Sequence, residues 1–165
     1  MKKLFVTMLL ALPLMVAAQE VKIAVVNTLA VFNLMPEVAE LENEIATKRQ
    51  KAEKEMKSLQ EEYERKYSDY VAKQDSLDDN IKKTRIQEIQ DIESRMETFR
   101  NLTSEDLQKT QSERVAPIQE KLRKAIKDVS DENGYTYVLD AQALLYQSPN
   151  AIDATEKVKA KLGLK

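Results

Sequence analysis

From Glu37 to Asn133 the chain runs without a glycine and with one proline, Pro117; its only two glycines, Gly134 and Gly163, come afterwards. So long a stretch of Glu, Lys, Gln, Arg and Leu favours helix, because these side chains lose little freedom there and nothing supplies a hinge. Val38, Leu41 and Ile45 recur three and four apart, and Ala52, Met56, Leu59, Tyr63, Tyr70 and Leu77 continue the series. This spacing makes a narrow apolar stripe, as in a coiled coil, and not a broad core face. Lys48, Lys66 and Lys73 fall at inward positions, and the step from Ala52 to Met56 inserts four residues into the heptad count. The seam is thin.

Gln74-Asp75-Ser76-Leu77-Asp78-Asp79-Asn80 is the candidate reversal, since Asp, Ser and Asn compete for backbone hydrogen bonds and favour turns and caps. Ser76 with Asp79 resembles a capping box. Ile81, Ile89, Ile92, Met96, Phe99, Leu107, Val115, Ile118, Leu122, Ala125, Ile126 and Val129 form the apolar series of a second helix. Two helices joined there make an antiparallel hairpin, with arms of about forty residues spanning roughly 60 Å. One uninterrupted helix is the alternative. Pro36 fits the first turn of the first arm, and Pro117 predicts a kink in the second.

The ends of the chain have another character. Lys2 and Lys3, the apolar run Leu4–Val16 and the small residues Val16-Ala17-Ala18 make a secretory signal peptide over residues 1–18, cut after Ala18. The run is too short and too broken by Pro13 for a transmembrane anchor, which needs roughly 20 apolar residues. Val21–Asn27 reads as a buried strand and Thr28–Met35 as a short helix or turn. After Gly134, which suits the left-handed end of a helix, Tyr135–Leu139 alternates like a strand and Leu144-Leu145-Tyr146 suggests another. Asn150–Asp153 is placed to cap a last helix carrying Val158 and Leu162. The fold class is therefore α+β, a long helical hairpin projecting from a small β-rich body. Residues 19–36 and 117–165 form that body and 37–116 the arm, with its tip near 75–80.

Composition narrows the chemistry. Without Cys or His there are no disulfides, thiolates or histidine-dependent triads, and zinc-type sites are disfavoured. Removing Lys2 and Lys3 lowers the basic count from 26 to 24 against 28 acids, leaving a mature charge of −4 that disfavours nucleic acid. Glu61, Glu62 and Glu64 beside Arg65 and Lys66 read as a solvated, salt-bridged face, and Asp75, Asp78 and Asp79 lack calcium-loop spacing. No catalytic, cofactor or metal residues are assigned, and no enzyme is expected. With 33% charged residues and three Phe, the chain cannot enclose a core of its full length. A small β-rich body needs partners, and Ile23, Val25, Val26, Tyr137, Leu139 and Leu145 are its candidate assembly residues.

KIAVVN at Lys22–Asn27, the charged hairpin, PIQEKLRKAIKDVSDENGYTYVLD at Pro117–Asp140, LLY and IDATEKVKAKL together resemble the Skp/OmpH family of periplasmic chaperones. The resemblance spans the mature chain, and its specific part lies at the two ends. It implies a homotrimer in which strands from three subunits build a β-barrel body. Three hairpins then enclose a cavity that holds unfolded outer-membrane proteins without ATP or any cofactor. Met56, Tyr63, Tyr67, Tyr70, Val71 and Met96 are the candidate client contacts, as adaptable methionine and amphipathic aromatic surface. The tip departs from the family's basic pattern by mixing Asp75, Asp78 and Asp79 with Lys82 and Lys83, so a lipopolysaccharide-binding role is not carried over. A structural or adaptor coiled coil of the cell envelope is the alternative function.

Overall fold

The computed structural model describes residues 21–164, and the signal peptide with its cleavage site lies outside them. Strand β1 (Ile23–Val26) leads into helix α1 (Thr28–Leu34), whose first turn is closed by Asn27 Oδ1 accepting from the Ala30 N–H at 3.0 Å. Helix α2 (Pro36–Lys73) opens on Pro36, which has no N–H to leave unpaired and whose φ already suits a helix. The chain reverses through a single 3₁₀ turn, Gln74–Ser76, and returns as α3 (Asp79–Asn133). The two arms pack against each other as an antiparallel hairpin, so the uninterrupted helix is excluded.

The reversal is capped differently from the expected Ser76–Asp79 box. Asp78 Oδ1 accepts from the N–H groups of Asn80 (2.9 Å) and Ile81 (3.0 Å), while the Ser76 hydroxyl donates back to the Lys73 carbonyl at 2.8 Å. A carboxylate can accept two orphan donors at once and suits the positive end of the helix dipole, so Asp78 takes the cap. Pro117 lies inside α3 and neither ends nor divides it. The helix stops at Gly134, at φ 65° and ψ 36°, and the Gly134 N–H donates to the Ser130 carbonyl.

Beyond it, β2 (Tyr137–Asp140) and β3 (Ile152–Asp153) flank β1 in a three-stranded parallel sheet of order β2-β1-β3. Ile23 pairs with Tyr137 and Val25 with Leu139 on one side, and Ala24 pairs with Ile152 on the other. Leu144–Tyr146 is not a strand, contrary to its sequence pattern. Asp140 caps a 3₁₀ turn, Ala141–Ala143, that carries the chain out of the sheet. The second edge of β1 is taken instead by Ile152–Asp153 and by the Ala154 N–H, which donates to the Val25 carbonyl at 2.8 Å. The final helix, α4 (Thr155–Lys161), takes its side-chain cap from the expected Asn150–Asp153 stretch. Ala154 stands at the cap position without a side-chain bond, and Asp153 Oδ1 accepts from the Thr155 N–H at 2.8 Å.

The core sits where the ends of the chain meet the base of the hairpin. Ala24, Val26, Val31, Met35, Val38 and Leu41 pack with Ile118, Leu122, Ala125 and Val129 of α3 and with Ala154 and Val158. Met35, Val26, Val31 and Val158 are fully buried, each worth about 1.5–3 kcal/mol of transfer free energy. Further along the arms Leu59, Ile89 and Ile92 are buried outside this cluster.

Candidate functional site

Strand period divides the sheet residues between two faces. Ala24 and Val26 belong to the core cluster, and Val138 packs against it. Ile23, Tyr137 and Leu139 lie on the opposite face and remain exposed, Tyr137 at 59% of its surface. Val25, in register with Leu139, is buried although it is not part of the core cluster. Leu145 is fully exposed in the irregular segment after β2, beside the exposed Tyr146. Of the candidate assembly residues, the fold therefore gathers Ile23, Val25, Tyr137 and Leu139 on one outer sheet face. It turns Val26 into the core and leaves Leu145 outside the sheet. Parallel sheets are ordinarily covered on both faces, and among the described residues this one is covered on one.

The arms carry a second open surface. One groove between them, of about 360 Å³, is lined by Ala52, Met56, Lys57, Phe99, Arg100 and Thr103. Arg100 also lines the adjoining groove of about 410 Å³, formed with Tyr63, Glu93, Met96 and Glu97. Antiparallel helices bring these residues together, because Met56 and Tyr63 descend one arm as Phe99 and Met96 ascend the other. The Tyr63 and Tyr67 rings stack at 5.9 Å between centroids and 8° between planes. The Glu93 carboxylate beside the Tyr63 hydroxyl holds its pKa above the usual tyrosine value, as burial also does. Met56, Tyr63, Tyr67 and Met96 thus share one stretch of the arm. Tyr70 and Val71 lie nearer the tip and line neither groove.

Sequence reasoning missed Arg100 at the junction of the two grooves. It also missed Leu102, 59% exposed beside a groove whose other lining residues include Lys48, Lys51, Phe99 and Asp106. Leu102 follows Phe99 by three residues, so the spacing itself carried the signal.

The seam between the arms is held by charged pairs as much as by apolar contact. Lys48 Nζ donates to Asp106 Oδ2 at 2.8 Å and to Thr110 Oγ1 at 2.7 Å, and Lys66 Nζ donates to Glu88 Oε2 at 2.7 Å. The bonds from Lys66 first, and then from Arg85, hold the Glu88 carboxyl below its ordinary pKa. Arg95 pairs with Glu62 at 3.5 Å, Arg114 with Glu44 at 3.4 Å, and Lys121 with Glu37. Two of the three inward lysines are therefore partnered across the seam, while Lys73 pairs with Asp69 on its own helix. In each cross-arm pair the residue numbers sum to the same value within one helical turn. The inserted four residues at Ala52–Met56 leave the register unchanged.

Among the described residues no helix is long and apolar enough to cross a membrane, and no cluster of His, Cys, Asp and Glu is arranged to hold a metal ion. The family model for outer membrane protein (OmpH-like) matches residues 22–162. The chaperone protein Skp of Yersinia enterocolitica is 28% identical over 163 residues, covering 91% of this chain and 93% of that protein. A crystal structure of an OmpH-like protein from Caulobacter crescentus CB15 superposes with a TM-score of 0.74 at 15% identity, over 86% of this chain and 82% of that one. The fold is thus one already seen in that structure.

Proposed function

The chain belongs to the OmpH-like family of outer membrane chaperones, and from that premise we propose that it is an ATP-independent periplasmic holdase for unfolded outer-membrane proteins. The observation that carries this reading is the pair of adjoining grooves along the arms, an apolar one with Met56 and Phe99 and a mixed one with Tyr63 and Met96, these four side chains half-buried among charged residues. Methionine and stacked tyrosine rings present broad, soft surface that accepts many side-chain shapes without demanding one geometry. The near-balanced charges around them add weak polar contact, so a client is held by many small interactions and not fixed in one conformation.

The body supports the second part of the proposal, a homotrimer. The exposed sheet face of Ile23, Tyr137 and Leu139, together with Leu145, would be covered by neighbouring subunits, and the free edges of β2 and β3 would be paired or shielded. On this reading residues 19–36 and 117–165 make the body and 37–116 the arm. The protein reaches the periplasm through its signal peptide.

The test is to dilute a urea-unfolded outer-membrane β-barrel protein into buffer with this protein, without nucleotide, and to follow turbidity. Near-stoichiometric suppression of aggregation is expected. A folded, assembled protein that leaves the turbidity unchanged would overturn the holdase reading in favour of an adaptor role.

A further inference from the structure

We propose that Lys48 and Lys66 are register-specifying residues, which confine the hairpin to the one alignment in which the adjoining grooves of Met56 and Met96 exist. Apolar packing alone discriminates poorly among alignments. The stripe on each arm repeats every three or four residues, so sliding one arm by a heptad again sets apolar side chains opposite apolar side chains. Moving the reversal by about half a heptad accommodates such a slide, and the residues on either side of Gln74–Asp78 are polar enough to form a turn there.

The lysines do not tolerate it. In the observed alignment Lys48 meets Asp106 and Thr110, and Lys66 meets Glu88, which Arg85 also contacts at 3.0 Å. A slide of one heptad sets Lys48 opposite Phe99–Thr103 or Glu113–Pro117, and Lys66 opposite Ile81–Arg85 or Arg95–Phe99. The place of Glu88 passes to Ile81 or to Arg95, so Lys66 rejects both slides; the place of Asp106 passes to Phe99 in one direction and to Glu113 in the other, so Lys48 rejects one of them. The Lys48 and Lys66 side chains are 32% and 33% exposed, against 48% or more for the other cross-arm cations Arg95, Arg114 and Lys121. A misaligned ammonium at Lys66 loses its partner in either direction, and at Lys48 in one, without fully regaining water, and Thr110, 7% exposed, loses the cation it faces. The two lysines weaken the seam as packing and sharpen it as an address.

The chain has no cysteine, so introduced pairs report the alignment directly. Ala52→Cys with Thr103→Cys reports the native register, since both positions line one groove. Ala52→Cys with Met96→Cys reports a slide of one heptad in one direction, and Tyr63→Cys with Phe99→Cys a slide in the other. With both lysines present, only the native pair should oxidise to a disulfide. Lys48→Met with Lys66→Met should retain helicity and gain a disulfide from at least one slid pair. If the helical double variant still closes only the native pair, the reversal or the apolar packing sets the register and the proposal is wrong. Should that variant lose its helicity, charge exchange decides. Lys48→Asp alone should permit a slid disulfide, and Lys48→Asp with Asp106→Lys should abolish it. Identical behaviour of those two would equally overturn the proposal.

Discussion

The Thr28 hydroxyl donates to Asp140 Oδ2, joining the first residue of α1 to the last residue of β2 across 112 positions of sequence. Asp140 Oδ1 meanwhile accepts from the Gln142 N–H at 3.1 Å, so one carboxylate anchors a helix start and turns the chain out of the sheet. Thr28→Val should destabilise the body by about 1.5–3 kcal/mol, the range for a hydrogen bond to a charged acceptor. Urea denaturation should show a lower midpoint with an unchanged slope.

The same carboxylate gives a pH dependence. The Thr28 bond, ahead of the backbone bonds from Gln142 and Thr28, holds the Asp140 pKa below its ordinary value and outweighs burial, which raises it. A depressed folded-state pKa contributes stability that is present above the unfolded value, about 3.9, and is lost as pH falls through the folded one. Melting temperatures should therefore drop below about pH 4. Asp140→Asn should be less stable at neutral pH and show a shallower acid decline.

Gly134 occupies left-handed backbone at φ 65°, and a Cβ built there meets no atom within 4 Å. The cost of replacing it is therefore backbone strain without a clash. Gly134→Ala should lower stability by about 1 kcal/mol, whereas Gly134→Asn should cost less because asparagine visits this region more readily. Thermal melts of the two variants side by side check the order.

Assembly and client retention should separate by mutation. Leu139→Asp places a charge on the exposed sheet face and should abolish the proposed trimer in sedimentation while the arms stay helical by circular dichroism. Met56→Ser with Met96→Ser should leave the trimer intact and weaken suppression of aggregation several-fold. Tyr67→Ala should likewise preserve assembly and have a smaller effect on retention.

Local chemistry made much of this fold legible. Pro36 begins a helix, Gly134 ends one, and the Asp- and Ser-rich stretch after Lys73 reverses the chain, because each of those signals acts over a few residues. Leu144–Tyr146 misled for the opposite reason. The 3₁₀ turn Ala141–Ala143, capped by Asp140, carries that apolar run away from the sheet, and the second edge of β1 goes to Ile152–Asp153, two residues too few to declare themselves. The inward lysines were visible as a thin seam, but their partners Asp106, Thr110 and Glu88 lie on the other arm and emerge only once the register is known. The groove residues were partly legible. Met56 and Met96 stood out by chemistry, while Arg100 looked like any surface cation until the arms were paired.

The central position of β1 bears on how the chain matures. The strand that emerges first has neither neighbour until the last part of the chain arrives, and Val25 and Asn27 bond to Ala154 and Thr155. The hairpin can zip from its tip by local contacts, carrying the C-terminal segment back to the waiting strand. A chain cut short before Ile152 would keep its arms and lack an edge strand, Val158 and the closing helix. A product truncated there is thus marked by the β1 edge it leaves bare.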